Sequence, residues 1–143
     1  MRLPDANLLL YALDERSPRH LPARAWLDEV LSGTATIAFA WTVLLAVVRL
    51  STRPAVFESP FDADEALDVV DGWLARPNVV VVHPTVRHAA VLRELLRPLG
   101  TAGNLVVDAH LAALAIEHGA ELCSSDADFS RFTGLRWVDP LRA

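Results

Sequence analysis

Residues 104–129 read NLVVDAHLAALAIEHGAELCSSDADF and encode a helix, a strand and a turn in succession. Asn104 to His118 predict a helix, and Gly119 is placed to terminate it because glycine tolerates the left-handed conformation that ends helices. Leu122 to Ser124 predict a strand and Ala127 to Phe132 a helical turn. Strand-like and helix-like stretches alternate in the same way along the rest of the chain. This alternation predicts an α/β fold with a mainly parallel sheet.

The remaining elements are predicted outward from this unit. Further strands are expected at Met1 to Pro4, Thr36 to Ala40, Val79 to Val82 and Arg136 to Val138. The four consecutive valines are typical of a fully buried strand. Further helices are expected at Asn7 to Leu13, Pro22 to Leu31, Val43 to Leu50, Asp62 to Ala75 and Thr85 to Leu96, with a loop at Leu99 to Gly103. The length of 143 residues fits one domain spanning residues 1–143.

The composition excludes several classes of protein. The chain is 52% hydrophobic and 22% charged, which is typical of a globular protein, and its net charge of −5 argues against a simple electrostatic nucleic-acid binder. All 13 basic residues are arginine, which excludes the lysine-dependent phosphate-binding loop of nucleotide hydrolases. We expect no secretion signal and no membrane helix. Cys123 is the one cysteine, so no internal disulfide forms and a reducing cytoplasm is the expected compartment.

Four aspartates stand where the chemistry of an open parallel sheet is usually found. Asp5 directly follows the first strand, and Asp126 and Asp128 directly follow the fourth. Ligands of such sheets bind beyond the carboxyl ends of the strands. Asp108 lies inside a helix among mainly apolar neighbours, where an acid is costly unless it is paired or bound to a metal.

If these acids converge, they have a clear chemical use. Carboxylates about 5 Å apart repel one another by about 3 kcal/mol per pair at an effective dielectric constant near 20. A divalent cation relieves that repulsion, and oxygen ligands favour Mg²⁺ or Mn²⁺. Such a metal polarises a phosphoryl oxygen and activates a water molecule for hydrolysis of a phosphodiester.

Each aspartate also has a simpler explanation. Asp5 and Asp126 could cap the helices that follow them. Asp128 could be a solvated turn residue, and Asp108 could pair with a buried arginine such as Arg49. The residues alone leave both interpretations open.

Four segments of the chain together resemble VapC-type PIN domains. They are LPDANLLLYAL at 3–13, WTVLLAVVRLST at 41–52, GNLVVDAHLAALAIEHGAEL at 103–122 and CSSDADFSRFTGLRWVDPL at 123–141. The resemblance implies a three-layer, Rossmann-like α/β/α fold with a mainly parallel sheet of about five strands. It also implies a metal-dependent endoribonuclease with Mg²⁺ or Mn²⁺ as cofactor, and the toxin of a type II toxin–antitoxin pair. The implied partners are an RNA substrate, a VapB-type antitoxin and a second copy of the chain in a homodimer, with no membrane.

Carried over by position, Asp5, Asp108 and Asp126 match catalytic, metal-binding acids of the family, and Asp128 matches an accessory acid. The family glutamate that precedes an arginine by three positions is absent, because Ala46 precedes Arg49 here. A single metal on Asp5, Asp108 and Asp126 remains compatible with this departure. Asp128 or Glu65 could replace the missing ligand, and Arg49 could bind substrate phosphate. The alternative is a catalytically weakened PIN-fold binding module that engages an antitoxin or RNA without cleavage.

Other residues receive more modest predictions. His110 and His118 are expected at the surface or in a dimer interface. Ser125 could position a water molecule or a phosphate, and Asn7 could orient the Asp5 carboxylate. The segment from Arg53 to Asp64 is a candidate for antitoxin docking.

Overall fold

A five-stranded parallel sheet organises the computed structural model, which describes residues 1–100 and 103–142. The strands are β1 Arg2–Pro4, β2 Ile37–Phe39, β3 Val79–Val81, β4 Glu121–Cys123 and β5 Trp137–Val138. The helices are α1 Ala6–Leu13, α2 His20–Ser32, α3 Trp41–Ser51, α4 Ala63–Leu74, α5 His88–Leu96 and α6 Val106–His118. Short 3₁₀ helices span Arg97–Leu99, Gly103–Leu105 and Ala127–Arg131. Residues 101 and 102 of the predicted loop lie outside the described residues.

The strand order determines where the acids meet. The order is β3-β2-β1-β4-β5, and every pair of neighbours is parallel. β1 and β4 are adjacent, with Leu3 opposite Leu122 and Pro4 opposite Cys123. Their carboxyl ends therefore lie at the same edge of the sheet, which carries Asp5 and the CSSDADF segment side by side. The predicted α/β fold with a parallel sheet of about five strands is confirmed.

The core is built from the strands and from α6. The side chains of Leu3, Ile37, Phe39 and Leu122 are completely buried. α6 is apolar on most of its circumference, and residues 111–115 are all buried. Gly119 ends this helix at φ +64°, as predicted, with its backbone N–H directed to the last carbonyls of α6. Within the described part of the chain, no helix has the length and apolarity to cross a membrane.

The prediction of a fully buried valine strand was wrong. β3 is an edge strand that, among the described residues, pairs only with β2, so no described strand lies on its other side. Val80 is 42% exposed, and Val79 and Val81 are half-buried. A run of apolar residues indicates a strand but does not distinguish an edge position from a central one.

Two predicted helix starts were too early by two or more residues, and both displacements affect functional residues. α6 begins at Val106 rather than Asn104, because Gly103–Leu105 forms a 3₁₀ turn. Asp108 therefore lies in the first turn of α6 and not in its interior. α5 begins at His88 rather than Thr85, and Thr85 is released to hydrogen-bond with Glu117.

Candidate functional site

Asp5 links the end of β1 to the start of α1. Its backbone is extended, its N–H donates to the carbonyl of Cys123 at 2.8 Å, and its Oδ1 accepts the N–H of Ala6 at 2.7 Å. Asp5 therefore caps α1. The second carboxylate oxygen, Oδ2, accepts the hydroxyl of Ser124 at 2.8 Å. Burial raises the pKa of Asp5, the hydrogen bonds from Ser124 and Ala6 oppose that rise, and the charge of Asp126 adds to it.

Ser124 joins the two strand ends. It is completely buried directly after β4, and its Oγ accepts Asn7 Nδ2 at 3.1 Å and the backbone N–H of Asp126 at 3.0 Å. With the bond that it donates to Asp5, this hydroxyl makes three hydrogen bonds. The sequence prediction chose the neighbouring Ser125 and overlooked Ser124. A small polar residue immediately after a buried strand is the only sequence signal that favours it.

Asp126 and Asp128 occupy the turn after Ser124. Asp126 is half-buried and caps the 3₁₀ helix Ala127–Arg131, where its Oδ1 accepts the N–H of Asp128 at 2.9 Å. Asp128 is exposed, and one of its oxygens lies 3.7 Å from the guanidinium of Arg131. Asp5 and Asp126 thus both cap the helices that follow them through Oδ1, and the Oδ2 of Asp5 is engaged by Ser124.

Asp108 approaches the same acids from α6. Its side chain is half-buried, and its pKa is raised from 3.8 to about 6 by burial and by the charges of Asp5, Asp126 and Asp128. Asp5, Asp126 and Asp128 therefore all lie within electrostatic reach of Asp108. The position of Asp108 in the first turn of α6 partly offsets this burial and repulsion, because the positive end of a helix dipole favours a negative side chain.

The donor set fits a hard divalent cation in its chemistry. Carboxylate oxygens are preferred by Mg²⁺ and Mn²⁺. The repulsion that, together with burial, raises the pKa of Asp108 is relieved when a cation binds. Asn7 Oδ1 is buried beside this cluster without a hydrogen-bond partner among the described residues. In residues 1–100 and 103–142, however, no three His, Cys, Asp or Glu side chains already stand close enough together to hold a metal. A metal held directly by three of these acids would therefore need them closer together, whereas Mg²⁺ bound through one or two carboxylates and several waters would not.

Three residues from the predicted site have other surroundings. Arg49 is exposed in the last turn of α3, and it forms no ion pair with any residue in the described ranges. Ala46 is half-buried one turn earlier on the same helix. Glu65 completes a capping box with Asp62 at the start of α4, so its carboxylate is engaged there.

A second polar cluster joins α5 to α6, and the sequence analysis did not predict it. His88 Nδ1 donates to Glu117 Oε2 at 2.5 Å, and His88 Nε2 lies 2.9 Å from His110 Nδ1. Thr85 donates both its hydroxyl and its backbone N–H to Glu117 Oε1. Burial raises the pKa of Glu117, but the bonds from Thr85 and His88 lower it below its ordinary value. Burial lowers the pKa of His110, which is half-buried in this cluster rather than free at the surface.

A cavity of about 510 Å³ lies where α1, α2 and α4 meet the 53–61 segment. Phe57, Phe61 and Trp73 contribute its apolar wall. Arg16 and Glu58, which form an ion pair, lie at the same cavity. Phe57 is buried and Phe61 half-buried, whereas the other residues from Arg53 to Asp64 are exposed, and antitoxin docking at this segment stays a prediction.

The sequence and the fold of the chain match a known class of protein. The family model described as PIN domain matches residues 2–135, so the chain is a PIN-domain protein. Two solved structures share its architecture. The chain resembles VapBC2 of Rickettsia felis bound to a promoter DNA fragment, with a TM-score of 0.69, 18% identity and 96% of each chain covered. It also resembles Mycobacterium tuberculosis VapC20, described as a sarcin-ricin loop cleaving toxin, with a TM-score of 0.64, 19% identity and coverage of 95% of this chain and 99% of that one.

A curated relative gives a narrower assignment. The chain is 51% identical over 140 residues to Ribonuclease VapC37 of Mycobacterium tuberculosis, and the match covers 98% of this chain and 97% of the relative. The chain therefore belongs to the VapC ribonuclease family of PIN domains.

Proposed function

We propose that the chain is a metal-dependent endoribonuclease that hydrolyses RNA phosphodiester bonds and serves as the toxin of a type II toxin–antitoxin pair. The observation that carries this proposal is the approach of Asp5, Asp126 and Asp128 to Asp108, whose pKa is raised to about 6 by burial and by the charges of those three acids. The 51% identity to Ribonuclease VapC37 over nearly the whole chain supports the same activity.

The four acids act together in the proposed mechanism. Asp5, Asp108 and Asp126 are the proposed catalytic residues, and with Asp128 they would hold Mg²⁺ or Mn²⁺. When bound, the cation would polarise a phosphoryl oxygen and lower the pKa of a water molecule. The carboxylates would supply the negative charge that holds the cation. The exposed guanidinium of Arg49 is the proposed contact to a substrate phosphate.

The experiment is cleavage of an RNA panel by protein freed of any antitoxin. The panel contains tRNA and ribosomal RNA fragments, and reactions contain Mg²⁺, Mn²⁺ or a chelator. We expect cleavage only with metal, and none by Asp108→Asn. Asp64→Asn is the matched control, since Asp64 is a first-turn acid of α4 and is not among the charges that raise the pKa of Asp108. Equal cleavage by wild type and Asp108→Asn would show a contaminating nuclease.

The proposed partners are a VapB-type antitoxin and a second copy of this chain. The likeness to the VapBC2 complex supports an antitoxin, and co-expression with a candidate antitoxin followed by co-purification tests it. Trp41 and Leu45 are 42% and 60% exposed, one turn apart on α3, which supports a homodimer through that helix. Sedimentation of Leu45→Glu tests the dimer, because a buried carboxylate would dissociate it.

A binding module without nuclease activity is the second candidate. Ala46 in place of the family glutamate favours this candidate. The spacing of the acids also favours it, because no three of them stand close enough together to hold a metal within the described residues. Calorimetry with Mn²⁺ separates the two candidates. A binding module has no specific Mn²⁺ affinity, whereas the nuclease binds Mn²⁺ and loses that binding in Asp108→Asn.

A further inference from the structure

Ser124 is the point at which the two acid-bearing loops are joined. Its hydroxyl contacts Asp5 Oδ2 at 2.8 Å, Asn7 Nδ2 at 3.1 Å and the N–H of Asp126 at 3.0 Å. Asp5 follows β1 and Asn7 lies in the first turn of α1, whereas Asp126 belongs to the loop after β4.

The donor and acceptor in each of these three hydrogen bonds follow from the partner groups of Ser124. The backbone N–H of Asp126 can only donate, and an ionised Asp5 carboxylate can only accept. The single hydroxyl proton of Ser124 must therefore point to Asp5 Oδ2. The lone pair that remains on Oγ requires a donor, which orients the Asn7 amide with Nδ2 towards Ser124. A hydroxyl offers one donor and two acceptor positions, and here all three are used.

The backbone of Ser124 is held from the other side by β5. Its N–H donates to the carbonyl of Val138 at 3.0 Å, and its carbonyl accepts the indole N–H of Trp137 at 2.9 Å. Ser124 is completely buried, so water does not compete for these bonds. The backbone of Ser124 is therefore held by β5, and the donor and both acceptor positions of its hydroxyl are occupied.

We infer that Ser124 is a positioning residue, which sets the separation and orientation of the Asp5 and Asp126 carboxylates and thereby the affinity of the site for a divalent cation. The inference rests on the proposed function, because it assigns a role within the same site. Ser124 contacts neither substrate nor metal in this role. It acts through Asp5, Asn7 and the backbone of Asp126, and partners of this kind typically change metal affinity by about 10- to 100-fold.

The test is Mn²⁺ calorimetry on wild type, Ser124→Ala and Ser124→Thr, with Ser125→Ala as the matched control. Ser124→Ala should weaken Mn²⁺ binding by about tenfold or more. Ser124→Thr keeps the hydroxyl and should bind within about threefold of wild type. Ser125→Ala removes the neighbouring hydroxyl and should bind as wild type does. RNA cleavage by Ser124→Ala should recover when Mn²⁺ is raised to saturation, which a merely structural defect would not allow.

The outcomes separate the two proposals. Wild type that binds Mn²⁺ and cleaves RNA, with Ser124→Ala binding within twofold of it, overturns the role of Ser124 and leaves the nuclease intact. Wild type that binds no Mn²⁺ overturns both. If Ser124→Ala unfolds at 25 °C, Ser124→Cys takes its place under the same criterion, because a thiol fills the volume but is a weak donor.

Discussion

Asp108→Asn should stabilise the metal-free protein while it abolishes metal-dependent cleavage. The pKa of Asp108 is raised from 3.8 to about 6, mainly by burial and then by the charges of Asp5, Asp126 and Asp128. A pKa raised by folding means that this group favours folding most below pH 3.8 and that the contribution is lost as the pH rises through 6. Above pH 6 the ionised carboxylate therefore costs the folded state free energy, and the neutral asparagine removes that cost.

The magnitude follows from the same shift. At about 1.4 kcal/mol per pKa unit, a change from 3.8 to about 6 corresponds to about 3 kcal/mol. Asp108 is only half-buried, so solvent screening reduces the expected gain to about 1–2 kcal/mol. Loss of the favourable first-turn dipole interaction subtracts about 0.3–1 kcal/mol from this gain. Asp64→Asn, at the start of α4, measures that dipole contribution separately.

The assay is urea denaturation in EDTA at pH 4.0 and pH 7.5, repeated at pH 7.5 with excess Mn²⁺. In EDTA, Asp108→Asn should be more stable than wild type at pH 7.5, and the difference should shrink at pH 4.0. With Mn²⁺ the order should reverse, because binding to the folded state stabilises wild type by mass action. A variant less stable than wild type in EDTA at pH 7.5 would refute the reasoning, since it would mean that Asp108 has a favourable partner rather than repulsive neighbours.

Three further predictions concern other parts of the chain. Ala46→Glu should lower the Mn²⁺ concentration that gives half-maximal cleavage by about tenfold, equivalent to about 1.4 kcal/mol, because it adds a carboxylate at the family's usual position. Unchanged metal dependence would show that position 46 does not face the site. Glu117→Gln should lower the free energy of unfolding at pH 7 by about 1–3 kcal/mol without changing the cleavage rate, because it disrupts the bond to His88; urea denaturation measures this, and wild-type stability would contradict it. Arg49→Ala should raise KM for RNA, leave kcat unchanged and reduce by about one the slope of log binding constant against log salt concentration. Arg93 is also exposed, and Arg93→Ala should change neither KM nor that slope. Equal effects of both substitutions would indicate a general loss of charge.

The fold was predictable because its signals are local. Helical spacing and the apolar run at Leu122 predicted the elements on either side of Gly119, and their alternation predicted the parallel sheet. The exposure of Val80 was not predictable, because sheet order depends on contacts far apart in the chain. The first-turn position of Asp108 was missed for a different reason. Helix boundaries depend on single backbone conformations, such as the 3₁₀ turn at Gly103–Leu105, that composition does not reveal.

The acids of the candidate site were predictable, but their connections were not. Asp5 and Asp126 stand directly after strands, and a parallel sheet brings such positions to one edge. Which serine lies between them depends on the pleat of β4, because successive side chains point in opposite directions. Ser124 is buried and bonded to Asp5, whereas Ser125 is half-buried. The His88–Glu117 pair was missed because its partners are 29 residues apart and neither is unusual in its local sequence.

The most direct test of the central claim compares the Mn²⁺ dependence of RNA cleavage with Mn²⁺ binding on one preparation of the protein. The cleavage rate is measured under single-turnover conditions from metal-free buffer to saturating Mn²⁺, and Mn²⁺ affinity is measured by calorimetry. If the four aspartates hold the catalytic metal, cleavage is absent in EDTA and its half-maximal Mn²⁺ concentration equals the Kd from calorimetry. Cleavage that persists unchanged in EDTA, or that saturates at a Mn²⁺ concentration unrelated to that Kd, would contradict the claim.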